Sequence, residues 1–367
     1  MGFVPDWLQD RCLRARPQRM NVESPEYPVG ECHPRARFCM LSLDGGGARG
    51  YLSAKILEHV EAHLDAVTGR SLPLGARFDL ITGTSTGGII ALALAVGWSA
   101  REIAGFYQTH LPEIFGSAMR RRAIPRYYKP KYRSAALRRS VDEIFAEKTF
   151  ADVRTDVCVV AVSLLNARPH IFRSDYVKSA LPRSSERLAD VAMATSAAPT
   201  YFKAHSTQNF SDLADGGLCA NNPTLVGIAE AFRFGRESRR GIAPPRDLGA
   251  ICADRLAVLS VGTGEQCAMP YEPEALQDAG VLQWGAQFHN VAIESQSQLT
   301  HRLSKSLIGS AYRRINPRLR FPMAMDDARR APALKNLSEL SEEDEAFLRT
   351  HLTQLRMAGS PSASTRG

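Results

Sequence analysis

No apolar run in this chain is long enough to cross a bilayer: the longest, Ile89 to Trp98, falls far short of the roughly 20 residues a membrane helix needs. The N-terminal region lacks the continuous apolar segment of a secretory signal, so export by that route is not expected. A myristoylation start is missing too, because Asp6 stands where Met1-Gly2 would require Ser or Thr. Cysteine is scarce: seven in 367 residues, an odd number without a Cys-x-x-Cys pair. That usage suits a reducing cytosol and not a disulfide framework. Acidic residues are outnumbered, 38 against 46 Lys and Arg, and the formal charge of +8 suits an acidic partner such as an anionic lipid surface, a nucleotide or nucleic acid without choosing among them. What is present, 44% hydrophobic and 23% charged residues, fits one large α/β domain or two ordinary ones and excludes a disordered chain.

Strand and helix patterns alternate along most of the chain. Residues 1–36 are Pro- and Arg-rich and read as an irregular arm, with Phe3, Trp7 and Leu8 as anchors. A strand is predicted at Phe38–Leu43, then a helix whose stripe of Leu52, Ile56, Val60, Leu64 and Val67 stops at Gly69. A second strand is predicted at Phe78–Thr82, followed by an apolar run over 89–97 that reads as a buried helix. Further strands are expected at 156–164 and 256–261, and helices at 101–111, 134–146, 185–195, 225–234 and 285–308. This order predicts a mostly parallel sheet covered on both faces. Ser341-Glu-Glu-Asp344 is a capping box opening a last helix, expected to end near Arg356 before a disordered Ser/Gly-rich tail. The stretches 235–254 and 265–280 read as loops within one domain.

Three glycine-rich turns carry the chemistry. Gly83-Thr-Ser85-Thr-Gly87 lies between a predicted strand and a predicted helix, the context of a nucleophile elbow. There the turn forces Ser85 outward and aims the positive end of the next helix at its oxygen. Asp44-Gly45-Gly46-Gly47-Ala48-Arg49-Gly50 sits at the corresponding place after the first strand. Consecutive glycines free backbone N–H groups to converge on an anion, here the carbonyl oxygen of a tetrahedral intermediate. Arg49 either adds positive charge or ties the loop down through Asp44. The third turn, Asp215-Gly-Gly, supplies a carboxylate able to take the Ser85 proton and return it to the leaving oxygen. Asp212 is its plain rival, and Asn221-Asn222-Pro223 offers side chains to brace the loop.

Competing motifs are weaker. Gly45-x-Gly47-x-x-Gly50 satisfies the dinucleotide fingerprint, but the second strand ends in Thr82-Gly83-Thr84 without the ribose-binding acid. No Lys-Ser/Thr pair follows Gly88, so a P-loop is excluded as well. His289 or His301 would complete a Ser–His–Asp triad in α/β-hydrolase order. His59 and His63, four apart on a helix, lack a third metal ligand. Arg120 to Arg139 holds nine basic residues and no acidic one, interleaved with three tyrosines: a solvated face, an interfacial patch or a phosphate contact.

The motifs Asp-Gly-Gly-Gly-x-Arg-Gly, Gly-Thr-Ser-Thr-Gly-Gly, Ala194-Thr-Ser-Ala-Ala-Pro-Thr-Tyr-Phe202, Asp215-Gly-Gly and Ser260-Val-Gly-Thr-Gly264 occur in the order found in patatin-like phospholipases, which the chain resembles over roughly 37–340. Tyr312-Arg-Arg-Ile-Asn-Pro317 and Met325-Asp-Asp-Ala328 resemble bacterial members. The resemblance implies a three-layer α/β/α sandwich with a mostly parallel central sheet, over 37–340, between the 1–36 arm and a C-terminal helix and tail at 341–367. It implies a Ser–Asp dyad without histidine: Ser85 the nucleophile, Asp215 the base, Gly45, Gly46, Gly47 and Arg49 the oxyanion loop, Gly83 and Gly87 framing the elbow. The substrate it implies is membrane phospholipid, with no cofactor and no catalytic calcium. The expected place is the cytoplasm, with transient attachment to the inner membrane. Some bacterial relatives act in anti-phage defence under a cyclic dinucleotide, so a cyclic nucleotide activator is compatible with this chain, as is a homo-oligomer; nucleic acid is not the expected partner. The competing class is a non-catalytic nucleotide-binding module.

Overall fold

The computed structural model describes residues 37–116, 130–174, 185–239, 253–267 and 273–353. The expected N-terminal arm, the 120–129 part of the basic stretch and the tail from 354, with the expected helix end near Arg356, lie outside the described residues.

Strand β1 (Phe38–Leu43) and helix α1 (Gly50–Thr68) fall where the pattern places them, and Gly69 ends α1 in the left-handed conformation at φ 64°. Strand β2 (Leu80–Thr84) begins two residues later than expected. At Asp79 the carboxylate accepts the Cys39 N–H at 2.7 Å while the Asp79 N–H is donated to the Cys39 carbonyl at 2.7 Å. Helix α2 (Thr86–Ala95) is buried along its whole length. Helices α3 (Ala100–Gly116) and α4 (Ser134–Phe145) follow, α3 continuing through Pro112 beyond its expected end.

Strands β3 (Asp156–Ser163) and β4 (Arg168–Arg173) form an antiparallel pair. Strand β4 escapes the pattern because Arg168, Pro169 and His170 break its apolar alternation, which an edge strand tolerates. Helix α5 (Leu188–Thr195), the short strand β5 (Leu213–Asp215), helix α6 (Gly217–Ala220) and helix α7 (Thr224–Arg239) come next. The chain continues through β6 (Leu256–Val261), the long helix α8 (Val281–Ile308), β7 (Tyr312–Ile315) and α9 (Glu342–Leu352). The capping box opens α9 as expected, with the Ser341 side chain accepting the Asp344 N–H.

The sheet runs β4-β3-β2-β1-β6-β7, with β5 added to β3. Strands β3, β2, β1, β6 and β7 are parallel; only β4 and β5 run against them. The two sheet faces divide the core. Leu41, Leu43, Ile81, Val159 and Leu259 point toward α1, α2 and α5, while Met40, Leu80, Cys158 and Val258 face Ile228 and Ala231 of α7 and Ile308 of α8. Burying both faces of parallel strands accounts for their near-continuous apolar sequence. Helix α9 joins the larger core through Phe347, Leu348 and Leu352. The fold is thus a mixed α/β architecture with helices on both sides of a mostly parallel sheet, and β1 and β2 carry their glycine turns to the same edge.

Candidate active site

Ser85 sits between β2 and α2 with φ 54° and ψ −125°, a conformation that costs a non-glycine residue about 1–3 kcal/mol. The surroundings enforce it. The Ser85 N–H is donated to Thr195 Oγ1 at 2.9 Å, and Thr195 in turn donates to the Val160 carbonyl at 2.6 Å, which fixes the turn to the end of α5 and to β3. The Ser85 carbonyl accepts the N–H groups of Gly88 and Ile89 at 2.9 and 3.1 Å, so α2 starts immediately beyond the serine. Gly83 lies within β2, and Gly87 lets the two turns touch: a Cβ on Gly87 would lie 2.3 Å from the Leu43 carbonyl oxygen.

Asp215 reaches the same point from the third turn. Its backbone pairs with Ala161 of β3, and its N–H is donated to the Ala197 carbonyl at 3.0 Å. The carboxylate accepts the Gly217 N–H at 2.7 Å and lines the same cavity as Ser85. Burial pushes the Asp215 carboxyl up to about 6, and the nearby Ser85 hydroxyl and the Gly217 N–H pull against that rise. Asp212 lies outside this contact, exposed and at φ 52°.

The turn after β1 faces them with its backbone. The Gly45 N–H is donated to the Asn221 carbonyl at 2.9 Å and the Ala48 N–H to the Met325 carbonyl at 2.6 Å. Gly46 and Gly47, between them, line the same cavity as Ser85 and Asp215, and among the described residues no acceptor takes their N–H groups. Gly47 has φ +59°, and a Cβ there would lie 2.2 Å from the Met325 oxygen. Asp44 does not depend on Arg49: its ion pair is with Arg314, at 2.6 and 3.2 Å, and Arg314 also donates to Ser260 Oγ at 2.8 Å. Arg49 is buried and donates to the Gly264 carbonyl at 3.3 Å, with burial lowering its pKa against the pull of Glu294 and Asp44.

From this junction a cavity of about 860 Å³, part of it open to solvent, extends between α3 and α4. Its walls are Phe106, Tyr107, Leu111 and Ile114 from α3 and Leu137 and Val141 from α4. The apolar stripes of these helices serve as pocket lining as well as core, and periodicity alone does not separate the two uses. Tyr107 donates to the Thr86 carbonyl at 3.0 Å, which ties the wall to the first turn of α2.

His289 lines the same cavity as Ser85 and Asp215. Burial holds the His289 pKa below its ordinary value. His301 is elsewhere, bonded through Nδ1 to the Tyr312 hydroxyl at 3.0 Å. His63 faces Glu345 at 3.7 Å, and among the described residues no group of three His, Cys, Asp or Glu is arranged to hold a metal ion. In the described half of the basic stretch, Lys131 and Tyr132 bind Asp326, Tyr132 at 2.7 Å, and their N–H groups are donated to the carbonyls of Thr200 and Tyr201 at 2.8 and 2.9 Å. Arg138 pairs with Asp142 and Asp190, and Arg139 with Glu113. This segment thus anchors the Met325 loop that accepts from Ala48.

Strained serine, buried carboxylate and glycine turn meet at one edge of an α/β sheet beside a largely apolar cavity. The Patatin family model, described as patatin-like phospholipase, matches residues 41–228, more than half of the chain, and the protein belongs to that family. A cGAMP-activated phospholipase of Escherichia coli strain TW11681 is 41% identical over 207 residues, covering 54% of this chain and 57% of that protein. One from Vibrio cholerae is 38% identical over 219 residues, covering 57% and 61%. The chain therefore spans about three fifths of the length of these two relatives. A third, from Pseudomonas aeruginosa, is 31% identical over 280 residues and covers 76% and 78%.

Sequence reasoning overlooked Thr195, Arg314 and the walls of the cavity. Thr195 and Arg314 lie inside motifs that carry the family resemblance, yet neither spacing nor residue type marks the one as a support for Ser85 or the other as the partner of Asp44.

Proposed function

We propose that the protein hydrolyses fatty-acyl esters of membrane phospholipids through a Ser85–Asp215 dyad and an acyl-enzyme. The observation that carries this reading is the convergence of Ser85 and the buried Asp215 carboxylate on one largely apolar cavity, where Ser85 holds down the rise in the Asp215 pKa. Ser85 Oγ attacks the ester carbonyl as Asp215 accepts its proton. The oxyanion is received by the N–H groups of Gly46 and Gly47, at the positive end of the helical turn they open. Collapse breaks the ester bond, and Asp215 returns the proton to the departing lyso-lipid oxygen. Water, deprotonated by the same carboxylate, then attacks the acyl-Ser85 carbonyl; the bond to Ser85 Oγ breaks, Asp215 returns the proton to that oxygen, and the fatty acid leaves. A base pushed up to about 6 is ionised at neutral pH yet basic enough to share a proton. The acyl chain occupies the space between α3 and α4 during both steps.

The reading extends to control. Relatives named for activation by cGAMP support a cyclic dinucleotide as the signal, and anti-phage defence as the setting is part of the same proposal. A fluorophosphonate ester tests the chemistry: it labels wild type at Ser85 in excess chelator, and Ser85→Ala abolishes the label. His289→Ala keeps the label under the dyad reading and loses it if a triad operates. Mass spectrometry of products from mixed-lipid vesicles, with and without cyclic dinucleotides, identifies the bond cleaved and the signal.

A further inference from the structure

Helix α8 is built inside out. Its residues turned into the protein include Ser297, Thr300 and Ser304, all buried, with Ile308 the apolar exception. Those turned outward include Val281, Trp284, Phe288, Leu299, Leu303 and Leu307, with Phe288 66% and Leu299 58% exposed. At 100° per residue these side chains fall on one stripe along the full helix. A water-facing helix places its polar residues on that side, so a face carrying exposed Trp, Phe and Leu at both ends of the helix, with Ser295 between them, marks an interaction surface.

The inward polar side has a local reason. Gln296 accepts the Asn221 N–H at 2.7 Å and donates to the Cys219 carbonyl, and Ser297 accepts from Asn221 Nδ2 at 3.2 Å. Asn221 in turn holds Gly45. Helix α8 thus clamps the turns of the site with one face and exposes large apolar side chains on the other.

We infer that the outward face of α8 is the surface by which the protein seats on an anionic lipid bilayer. Two observations choose this occupant. The first is charge: Arg302 and Lys305 stand exposed beside Leu299 and Leu303, and the sole acid of the helix, Glu294, is directed inward, where its charge acts on Arg49 and Arg314. An amphipathic helix with Trp, Phe and Leu flanked by cations inserts shallowly among anionic headgroups. The second is position. His289 and Ile293, one helical step from Phe288 and Ala292, line the cavity that holds Ser85, as does the half-exposed Leu218. A bilayer on this face would place acyl chains beside the entrance. The inference rests on the phospholipid reading of that cavity.

The test separates surface from chemistry. Full-length wild type, Phe288→Ser/Leu299→Ser/Leu303→Ser and Arg302→Ala/Lys305→Ala are compared for sedimentation with phosphatidylglycerol–phosphatidylcholine vesicles, hydrolysis of those vesicles and hydrolysis of a water-soluble short-chain ester. The triple variant is expected to lose vesicle binding and vesicle hydrolysis more than tenfold while cleaving the soluble ester at the wild-type rate. The charge variant, which leaves packing untouched, is expected to bind about fivefold less per cation removed. Its residual binding should be insensitive to salt. Undiminished vesicle binding by both variants overturns the proposal. So does a wild-type oligomer that the triple variant converts to monomer without loss of vesicle binding, because the stripe then covers a second copy of the chain. A wild type that binds vesicles but cleaves neither substrate sinks the catalytic reading and leaves the surface standing.

Discussion

The two glycine-rich turns at the ends of β1 and β2 are neighbours in space and similar in composition, but they work in opposite ways. The β2 turn presents a side chain. It places a non-glycine residue, Ser85, at φ 54° and holds it there through Thr195 and the first turn of α2. The β1 turn presents backbone. Its outer amides, Gly45 and Ala48, are anchored to Asn221 and Met325, and the amides between them face the cavity. In the first turn strain is tolerated so that an oxygen can project; in the second, side chains are eliminated so that N–H groups can. Substitutions at the two turns should therefore fail differently.

The largest effect is expected beneath the backbone turn. Arg314→Met leaves Asp44 buried without its cation, and removing one partner of such a pair costs about 3–5 kcal/mol. Urea denaturation should show that loss, together with reduced fluorophosphonate labelling of a Ser85 that has not itself been altered. An undiminished midpoint would mean that Asp44 is neutral in the fold. Next comes Gly47→Ala. The new methyl would collide with the Met325 carbonyl at a positive φ, so the loop must shift. Displacing an oxyanion donor lowers kcat by about 10²–10³. Turnover of a soluble ester by Gly47→Ala, compared with the same change at the exposed Gly69, separates donor geometry from general loss of glycine.

Much of this arrangement was legible in the residues. The strands β1 and β6, the αL stop at Gly69, the α9 capping box and the three turns each carry a local signal: continuous apolar runs, a Gly after a helical stripe, Ser341 with Asp344, and clustered glycine. What stayed hidden depends on contacts distant in sequence. Strand β4 is specified by its pairing with β3 and not by its own polar sequence, and β7 by a place beside β6. Arg314 meets Asp44 across 270 residues. The cavity walls on α3 and α4 carry the same stripe that a core helix would, because a lipid pocket and a core are both apolar. The inverted face of α8 was readable in principle, yet a period of 3.6 reports that a helix has two faces and not which one turns outward.

Asp215 belongs to neither turn and tests the comparison through pH. Its carboxyl is raised by burial, so the folded state favours the protonated form. Stability from this group is fully present below the ordinary carboxylate value and is lost as pH rises through about 6. Asp215→Asn removes that loss. It should stabilise the protein at pH 8 by roughly 2–3 kcal/mol, and the gain should fade toward pH 4. Catalysis runs the other way: kcat/KM on a soluble ester should climb with pH through an apparent pKa near 6, because the base must be ionised. Thermal melts at the two pH values and a pH–rate profile check both signs, and a gain equal at both values would show that Asp215 is not displaced by burial.

The smallest effect isolates the strain itself. Ser85→Ala and Ser85→Gly both delete the hydroxyl and its effect on Asp215, so they share every loss except one. Alanine must still adopt φ 54° and ψ −125°, which glycine visits freely. Relief of about 1–3 kcal/mol is offset in part by the greater freedom of an unfolded glycine, about 0.5–1 kcal/mol. The glycine variant should therefore be more stable than the alanine variant by about 1 kcal/mol in a denaturant titration, and both should be inactive. If alanine proves equal or better, the elbow is unstrained in solution, and the contrast between the two turns lies in their hydrogen bonds alone.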